Sequence, residues 1–518
     1  MPRPCRLHSE NPQTLHAADL KKKLAQLPGL LPVTTGNEQD RDVENALRLR
    51  AVEVAAGNPR LLEWLHGVLQ ERSLPISSLL DKLEQEEARF REDVLISELV
   101  DAQTPAVRHT LACAALYRLP VVLAAIEALS DDPQTAQHLQ TAARVGLVEI
   151  TPTLDGDHYF VSNLLDSALA DTLDVSERQP LAAKASQYLF ETTKDGRSEA
   201  WSLEIVRLAV LGQEQAIALE VGDLLADEMR IQSRYREIET LCNSILALGD
   251  SCRILAQLTV ASMTLGYSNA SKHIERAVSL LPVDRSNLSN EKLKETAFTL
   301  GVYADILQAR GQLDEALNIR ENHELPVYEK LGDVRSKAVT MGKIADILQA
   351  RGQLDEALNI RQTEQLPVYE KLGDVREKAV TMGKIADILQ ARGQLDDALN
   401  IRENHELPVY EKLGDVRSKA VTMGQIADIL QARGQLDDAL NIRENHELPV
   451  YEKLGDVREL LVGRAKLAML LWQMDAAANA ARVQELLCLA LSDARRLRIP
   501  EAGIIENILS QMGLSCDP

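Results

Sequence analysis

The chain has 518 residues, 45% of them apolar and only 3% aromatic, which is too long for one ordinary core and too apolar for a disordered chain. Its wealth of Ala, Leu, Gln, Glu, Asp and Arg favours helices packed through small and aliphatic side chains. A formal net charge of -21 argues against nucleic-acid backbones as the main partner, since such binding runs on clustered Lys and Arg, and leaves proteins open as partners.

The N-terminal stretch "MPRPCRLHSENPQ" lacks the apolar core of a signal peptide, and the most apolar stretch, 111–129, carries Arg118, Pro120 and Glu127. No membrane span is expected, and the chain reads as cytoplasmic. The six cysteines (Cys5, Cys113, Cys242, Cys252, Cys488, Cys516) form no CxxC pair and no compact framework, so reduced thiols are expected. Residues 55–69, "AAGNPRLLEWLHGVL", place a Gly-x-Pro turn, Gly57 to Pro59, ahead of an apolar helix. Three short helices are predicted next, at 104–117, 120–129 and 133–145. "LVEITPTLDGDHYFV" then reads as two strands joined at Asp155-Gly156. Three helices and a hairpin make a winged helix, yet Arg144 is the sole cation of the third helix. Asp131, Asp132, Asp155 and Asp157 surround it, a surface that repels phosphate, so no nucleic-acid partner is expected.

Residues 181–296 read as divergent helix pairs, with Ala270, Ala277 and Pro282 in "LGYSNASKHIERAVSLLP". From 297 the sequence repeats itself. Ala304, Ala345, Ala386, Ala427 and Ala468 mark a 41-residue period, with units 297–337, 338–378, 379–419 and 420–460 nearly identical. In one unit Val339, Met341, Ile344, Ala345 and Leu348 fall at helical spacing, and Leu354, Ala357, Leu358 and Leu366 follow after Gly352. Gly352 and Gly373 suit left-handed positions past the two helix ends. Asp374 caps the next helix, with Glu377 completing a capping-box pattern. Pro367, like Pro326, Pro408 and Pro449, sits inside the predicted second helix, where a kink is expected and a clean break is the competing outcome. Past 460 the repeat degenerates and ends in "RIPEAGIIENILSQMGL", a terminal helical cap.

The unit resembles the tetratricopeptide repeat, in a variant longer than the usual 34 residues, through Ala345, Gly352 and Ala357 in "GQLDEAL". It departs from that family where Ile344 and Leu348 stand in place of the common Trp and Tyr. The fold class expected is therefore all-α: a tetratricopeptide-like α-solenoid, a superhelix of helix pairs, preceded by a small winged-helix domain. Its parts are a helical lid-like segment (1–95), the winged helix (96–180), divergent repeats (181–296), four near-identical repeats (297–460), and a degenerate repeat with cap (461–518).

The resemblance implies that first helices line a concave groove for a protein or peptide partner. Two ladders would face it: Asp305, Asp346, Asp387 and Asp428, and Gln308, Gln349, Gln390 and Gln431. The alternative is a solvated face copied by tandem duplication. With its Gly-x-Pro turn, winged helix and array, the chain further resembles the C-terminal part of signal-transduction ATPases with numerous domains (STAND), the group that includes NB-ARC proteins. That implies a sensor or regulatory role, with a nucleotide-binding domain docking on the winged helix. The departures are specific. No GxxxxGKS or GxxxxGKT P-loop occurs, and Val161-Ser162-Asn163 replaces the Met-His-Asp triplet of NB-ARC relatives. The chain is thus expected to match the downstream part of such a protein, through truncation, gene splitting or loss of the motor. Alternatives are a partner subunit of an active STAND ATPase and a winged-helix transcription regulator. His323, His405 and His446 recur in "ENHEL", but the second unit has "QTEQL" there, so exposed helix polar residues are expected rather than a metal face. No catalytic spacing, cofactor or metal is expected.

Overall fold

The computed structural model describes residues 15–35, 37–71, 74–154, 156–285, 287–497 and 499–516. They fall into two compact units, residues up to 277 and from 278 onward.

In the first unit, helices Ala17–Ala25, Glu38–Ala55, Pro59–Glu71, Ile76–Gln85 and Arg91–Asp101 precede the winged helix. The Gly-x-Pro turn works as helix punctuation. Gly57 is left-handed at φ 81°, and the Asn58 side chain accepts from the Arg60 and Leu61 N–H groups at 3.0 and 3.2 Å. Pro59 then opens its helix where a missing N–H costs nothing. Trp64 of that helix donates from Nε1 to the Gly146 carbonyl at 3.0 Å, joining the N-terminal helices to the winged helix. A side chain at Gly146 would strike the indole, 2.6 Å from the Cβ position.

The winged helix has helices Pro105–Ala115, Leu123–Ser130 and Thr135–Arg144, then strands Glu149–Thr153 and Gly156–Phe160. Among the described residues its sheet has a third strand that the sequence reading missed. Val121–Val122 pairs antiparallel with Tyr159 and His158, which places the C-terminal hairpin strand in the centre. The helix expected from Pro120 therefore begins three residues later, at Leu123, since two β-branched valines are claimed by the sheet. Asp155 lies outside the described residues. Five further helices, Val175–Thr192 to Cys252–Thr264, extend one continuous apolar core that runs from Leu27 to Ala261.

In the second unit each repeat is a long first helix and a composite second one. The first helices are Asn290–Ala309, Val334–Ala350, Val375–Ala391 and Val416–Ala432, followed by Val457–Met474. Gly352 and Gly373 are left-handed at φ 78° and 67°, as expected. Asp374 accepts from the Glu377 N–H at 3.1 Å, so the cap forms. The reciprocal half of the box does not, because the Asp374 N–H already donates to the Tyr369 carbonyl at 3.0 Å.

The proline produces neither a kinked α-helix nor a break. In repeat two Leu354–Ile360 passes into a π turn, Arg361–Gln365, and then into Leu366–Leu372 with Pro367 in its first turn. The Leu366 N–H bonds five residues back, to Arg361. One extra residue in the turn relieves the crowding that proline imposes on the carbonyl four residues before it. The same turn recurs at Arg320–Glu324, Arg402–Glu406 and Arg443–Glu447.

The chain ends in helices Ala476–Leu497 and Glu501–Met512, packed with Val457–Met474 in a separate apolar cluster. Here the expectation of reduced thiols fails, because Cys488 is disulfide-bonded to Cys516, 28 residues on. The helical hairpin folds the tail back along Ala476–Leu497, where Gln484 Nε2 also donates to the Ser515 carbonyl at 2.6 Å. Sequence spacing alone does not reveal such a return. Closing a loop of this length stabilises by about 3–4 kcal/mol in the chain-entropy account. Reduction, or Cys488→Ser, is therefore expected to raise amide exchange in 501–516 while leaving exchange in 334–432 unchanged.

Candidate functional site

The second helix of every repeat buries residues spaced by fours. In repeat three these are Ala398, Arg402, Glu406 and Tyr410, none more than 6% exposed. In a regular α-helix a spacing of four drifts by about 40° per step, which would carry tyrosine off the inward face. The wider π turn absorbs that drift. Proline, arginine, glutamate and tyrosine are thus parts of one local device.

Arg320, Arg402 and Arg443 each lie between two carboxylates. Arg402 donates to Asp387 at 2.5 Å, back on the first helix, and to Glu406 at 2.8 Å within its own turn. Arg320 donates likewise to Asp305 at 2.7 Å and Glu324 at 2.6 Å, and Arg443 pairs with Asp428 and, at 2.8 Å, Glu447. In repeat two Gln365 replaces the glutamate, and Arg361 bonds to it at 2.9 Å and to Asp346 at 2.6 Å. Space for this buried polar group comes from a mid-helix glycine opposite. A Cβ on Gly383 would stand 2.6 Å from the Glu406 carboxylate, Gly301 and Gly424 face Glu324 and Glu447 in the same way, and Gly342 faces Gln365. Each arginine still leaves its buried Nε without an acceptor among the described residues.

The expected aspartate ladder is accordingly engaged within the protein, at 26–32% exposure. Lysines of the following repeat reach it as well: Lys343 to Asp305 at 3.0 Å, Lys384 to Asp346 at 3.6 Å and Lys466 to Asp428 at 2.6 Å. The glutamine ladder (Gln308, Gln349, Gln390, Gln431) is half-buried one turn on, and Gln431 donates to Gln473 at 2.8 Å. Both ladders lie on first helices. The buried arginines behind them went unnoticed in the sequence, although the spacing Ala-x3-Arg-x3-Glu-x3-Tyr across a proline carried the signal. His323, His405 and His446 are exposed.

Two further ion-pair ladders cross the repeat junctions. Arg335 reaches the helix-capping Asp374 of the next repeat at 2.8 Å, Arg376 reaches Asp415 at 2.6 Å and Arg417 reaches Asp456 at 2.7 Å. At the opposite helix ends Arg351 pairs back with Asp314, Arg392 with Asp355 and Arg433 with Asp396, at 3.1–3.2 Å. Exposed pairs of this kind contribute little singly. Their repetition fixes the register of one helix pair on the next.

Burial pushes the Glu324, Glu406 and Glu447 carboxyls above the ordinary glutamate range, with the neighbouring arginine offsetting part of the effect. The capping Asp374 is held low, first by its bond from Arg335.

In the first unit, Val161 is buried and Ser162 accepts from the Leu164 N–H at 3.4 Å, capping the single turn Asn163–Leu165. These side chains serve local structure. Cys113 and Cys242 are buried thiols pushed up to about 12 by desolvation, which makes them poor nucleophiles. Among the described residues no group of three His, Cys, Asp or Glu is placed to hold a metal ion, and no helix is long and apolar enough to cross a membrane.

No protein-family model and no curated protein matches the chain. Among solved structures it is similar to a signal transduction ATPase with numerous domains (STAND) protein with a tetratricopeptide repeat sensor, from Pyrococcus horikoshii. The identity is 13%, the match covers 92% of this chain and 79% of that one, and the TM-score is 0.55. A putative kinesin light chain from Podospora anserina with nearly identical repeats matches 40% of this chain and 99% of its own at 20% identity, TM-score 0.33. A Rap protein complexed with competence and sporulation factor matches 65% and 97% at 14% identity, TM-score 0.41.

Two stability predictions follow from the buried pairs. Arg443→Met strands the buried Glu447 carboxylate, leaves Asp428 with Lys466 alone, and is expected to cost about 3–5 kcal/mol in urea denaturation. Glu406→Gln copies the arrangement already present in repeat two and is expected to change stability by less than about 1 kcal/mol at pH 7. The pH dependence has a defined sign. A raised glutamate keeps its proton in the folded chain where the unfolded chain has lost it, so its contribution falls as pH rises from about 4.5 toward neutrality. The triple Gln variant at 324, 406 and 447 should therefore gain relative to the parent over that interval. In fold, the chain is an all-α tetratricopeptide-like repeat protein with a winged helix before the array, and it resembles the corresponding part of STAND proteins.

Proposed function

We propose that this chain is a non-enzymatic, cytoplasmic protein-binding chain, the sensor or regulatory part of a STAND-type signalling system. An extended segment of a partner lies along the first helices of the repeats, and the winged helix docks against a nucleotide-binding domain. One observation carries the reading. The first helices present the same half-buried polar side chains at 41-residue intervals, Asp387 and Gln390 recurring as Asp428 and Gln431, on a frame braced from behind by buried Arg–carboxylate pairs. A rigid periodic face suits a ligand that is itself extended and periodic, whose backbone and side chains meet repeated donors and acceptors. The acidic character of the chain favours partners with some basic character. The likeness to a STAND protein with a repeat sensor supports placing the chain in such a system, and the missing P-loop supports assigning nucleotide chemistry to another polypeptide or segment.

The test uses peptides selected from a random dodecamer library against the full chain. Deleting one 41-residue unit, 338–378, is expected to weaken the selected peptides by about tenfold or more. Unchanged affinity would identify the array as a passive spacer. The purified chain is expected to hydrolyse no ATP by phosphate release.

A further inference from the structure

The repeats are so alike that their few differences read as a controlled comparison. At three of the four junctions between successive first helices a lysine of the following repeat covers the aspartate of the preceding one: Lys343 on Asp305, Lys384 on Asp346 and Lys466 on Asp428. At the remaining junction, between Val375–Ala391 and Val416–Ala432, the position is Gln425. This side chain turns inward, its Oε1 accepting from Arg402 Nη1 at 2.6 Å, and among the described residues it bonds to no carboxylate. A cleft of about 170 Å³ lies there, with Asp387, Arg402, Glu406 and Gln425 in its lining and Val380 and Val421 at its sides.

Apart from Arg402, the cations lining the cleft are directed elsewhere. Lys384 is directed to Asp346, and Arg417 to Asp456 and Glu459 at 2.7 and 3.1 Å. Asp387 feels Arg361 across the junction, but its ion-pair partner among the described residues is Arg402. Repeats one and four balance two cations, Arg320 with Lys343 and Arg443 with Lys466, against two carboxylates each. Repeat three sets Arg402 alone against Asp387 and Glu406. The orphan arginine Nε is common to all four repeats and so does not distinguish this one. What distinguishes it is the missing ammonium.

We propose that this cleft is a subsite for a lysine side chain of the partner, which takes the place that the chain's own lysine holds at the other junctions. The ammonium would meet Asp387 at the 2.6–3.6 Å seen for Lys343, Lys384 and Lys466 with their aspartates. Its methylene stem would lie between Val380, itself 37% exposed, and Val421. This subsite rests on the groove reading given above and gives that groove a polarity, with one position that reads charge.

The decisive substitution is Gln425→Lys. It makes the third junction like the other three, so the variant is expected to fold with parental helicity and melting temperature. Dodecamers selected against the parent chain should carry lysine at one position, and Gln425→Lys should weaken them by about tenfold or more, because a like charge then occupies the site. Replacing that lysine by norleucine should give the same loss, and Gln425→Ala, which leaves the cleft open, should keep the preference for lysine. Peptides that bind the array with no preferred cation, or that ignore Gln425→Lys, overturn the subsite while leaving the groove intact. Peptides that bind equally well after removal of 338–378 overturn both.

Discussion

A buried guanidinium held between an aspartate on the first helix and a glutamate or glutamine on the second is the constraint on which the repeat depends. It fixes the distance between the first and second helix of each pair, because Arg402 spans from Asp387 to Glu406. It demands a glycine opposite, and it demands that a four-residue stripe stay on one face for twelve residues. Proline supplies the means by forcing a turn of wider pitch. Repeat two keeps the whole arrangement with Gln365 in the glutamate's place, so the centre needs a side-chain acceptor there rather than a second charge.

Such a centre is weak support for stability as such. Desolvating an arginine and two acids costs several kcal/mol, which their mutual attraction and hydrogen bonds offset only with good geometry. Its value here lies in specificity. Near-identical repeats have near-identical apolar faces, and Ile344, Ile385 and Ile426 pack with Leu348, Leu389 and Leu430 in one shared cluster. Greasy faces alone would tolerate sliding. A directional cation that must find an acid on the partner helix does not, and the surface pairs across each junction add a second check on alignment.

Much of the architecture was legible in the sequence. The period, the left-handed glycines at 352 and 373, the capping aspartate at 374 and the three winged-helix helices all follow from local chemistry: backbone freedom, side-chain capping and apolar spacing. What escaped depends on groups far apart in sequence or on geometry that no propensity encodes. The strand at Val121–Val122 exists only because Tyr159 and His158 come to pair with it. The Cys488–Cys516 bond needs the tail to return along a helix. The π turn was half visible, since proline announced a disturbance at 367 while its form depended on the buried arginine six residues earlier. The spacing places the aspartates in a ladder along the first helices, but their arginine partners on the second helix of each pair are visible only in the folded chain.

The ion pairs that cross the junctions have a further bearing, on how such a chain changes over generations. Arg335 to Asp374, Arg376 to Asp415 and Arg417 to Asp456 are the same joint made three times, each half supplied by a different copy. Any copy's trailing edge fits any other's leading edge. Loss or gain of a whole unit by unequal recombination would therefore leave every remaining seam chemically intact, and the reach of the array could be reset in steps without a misfolded intermediate.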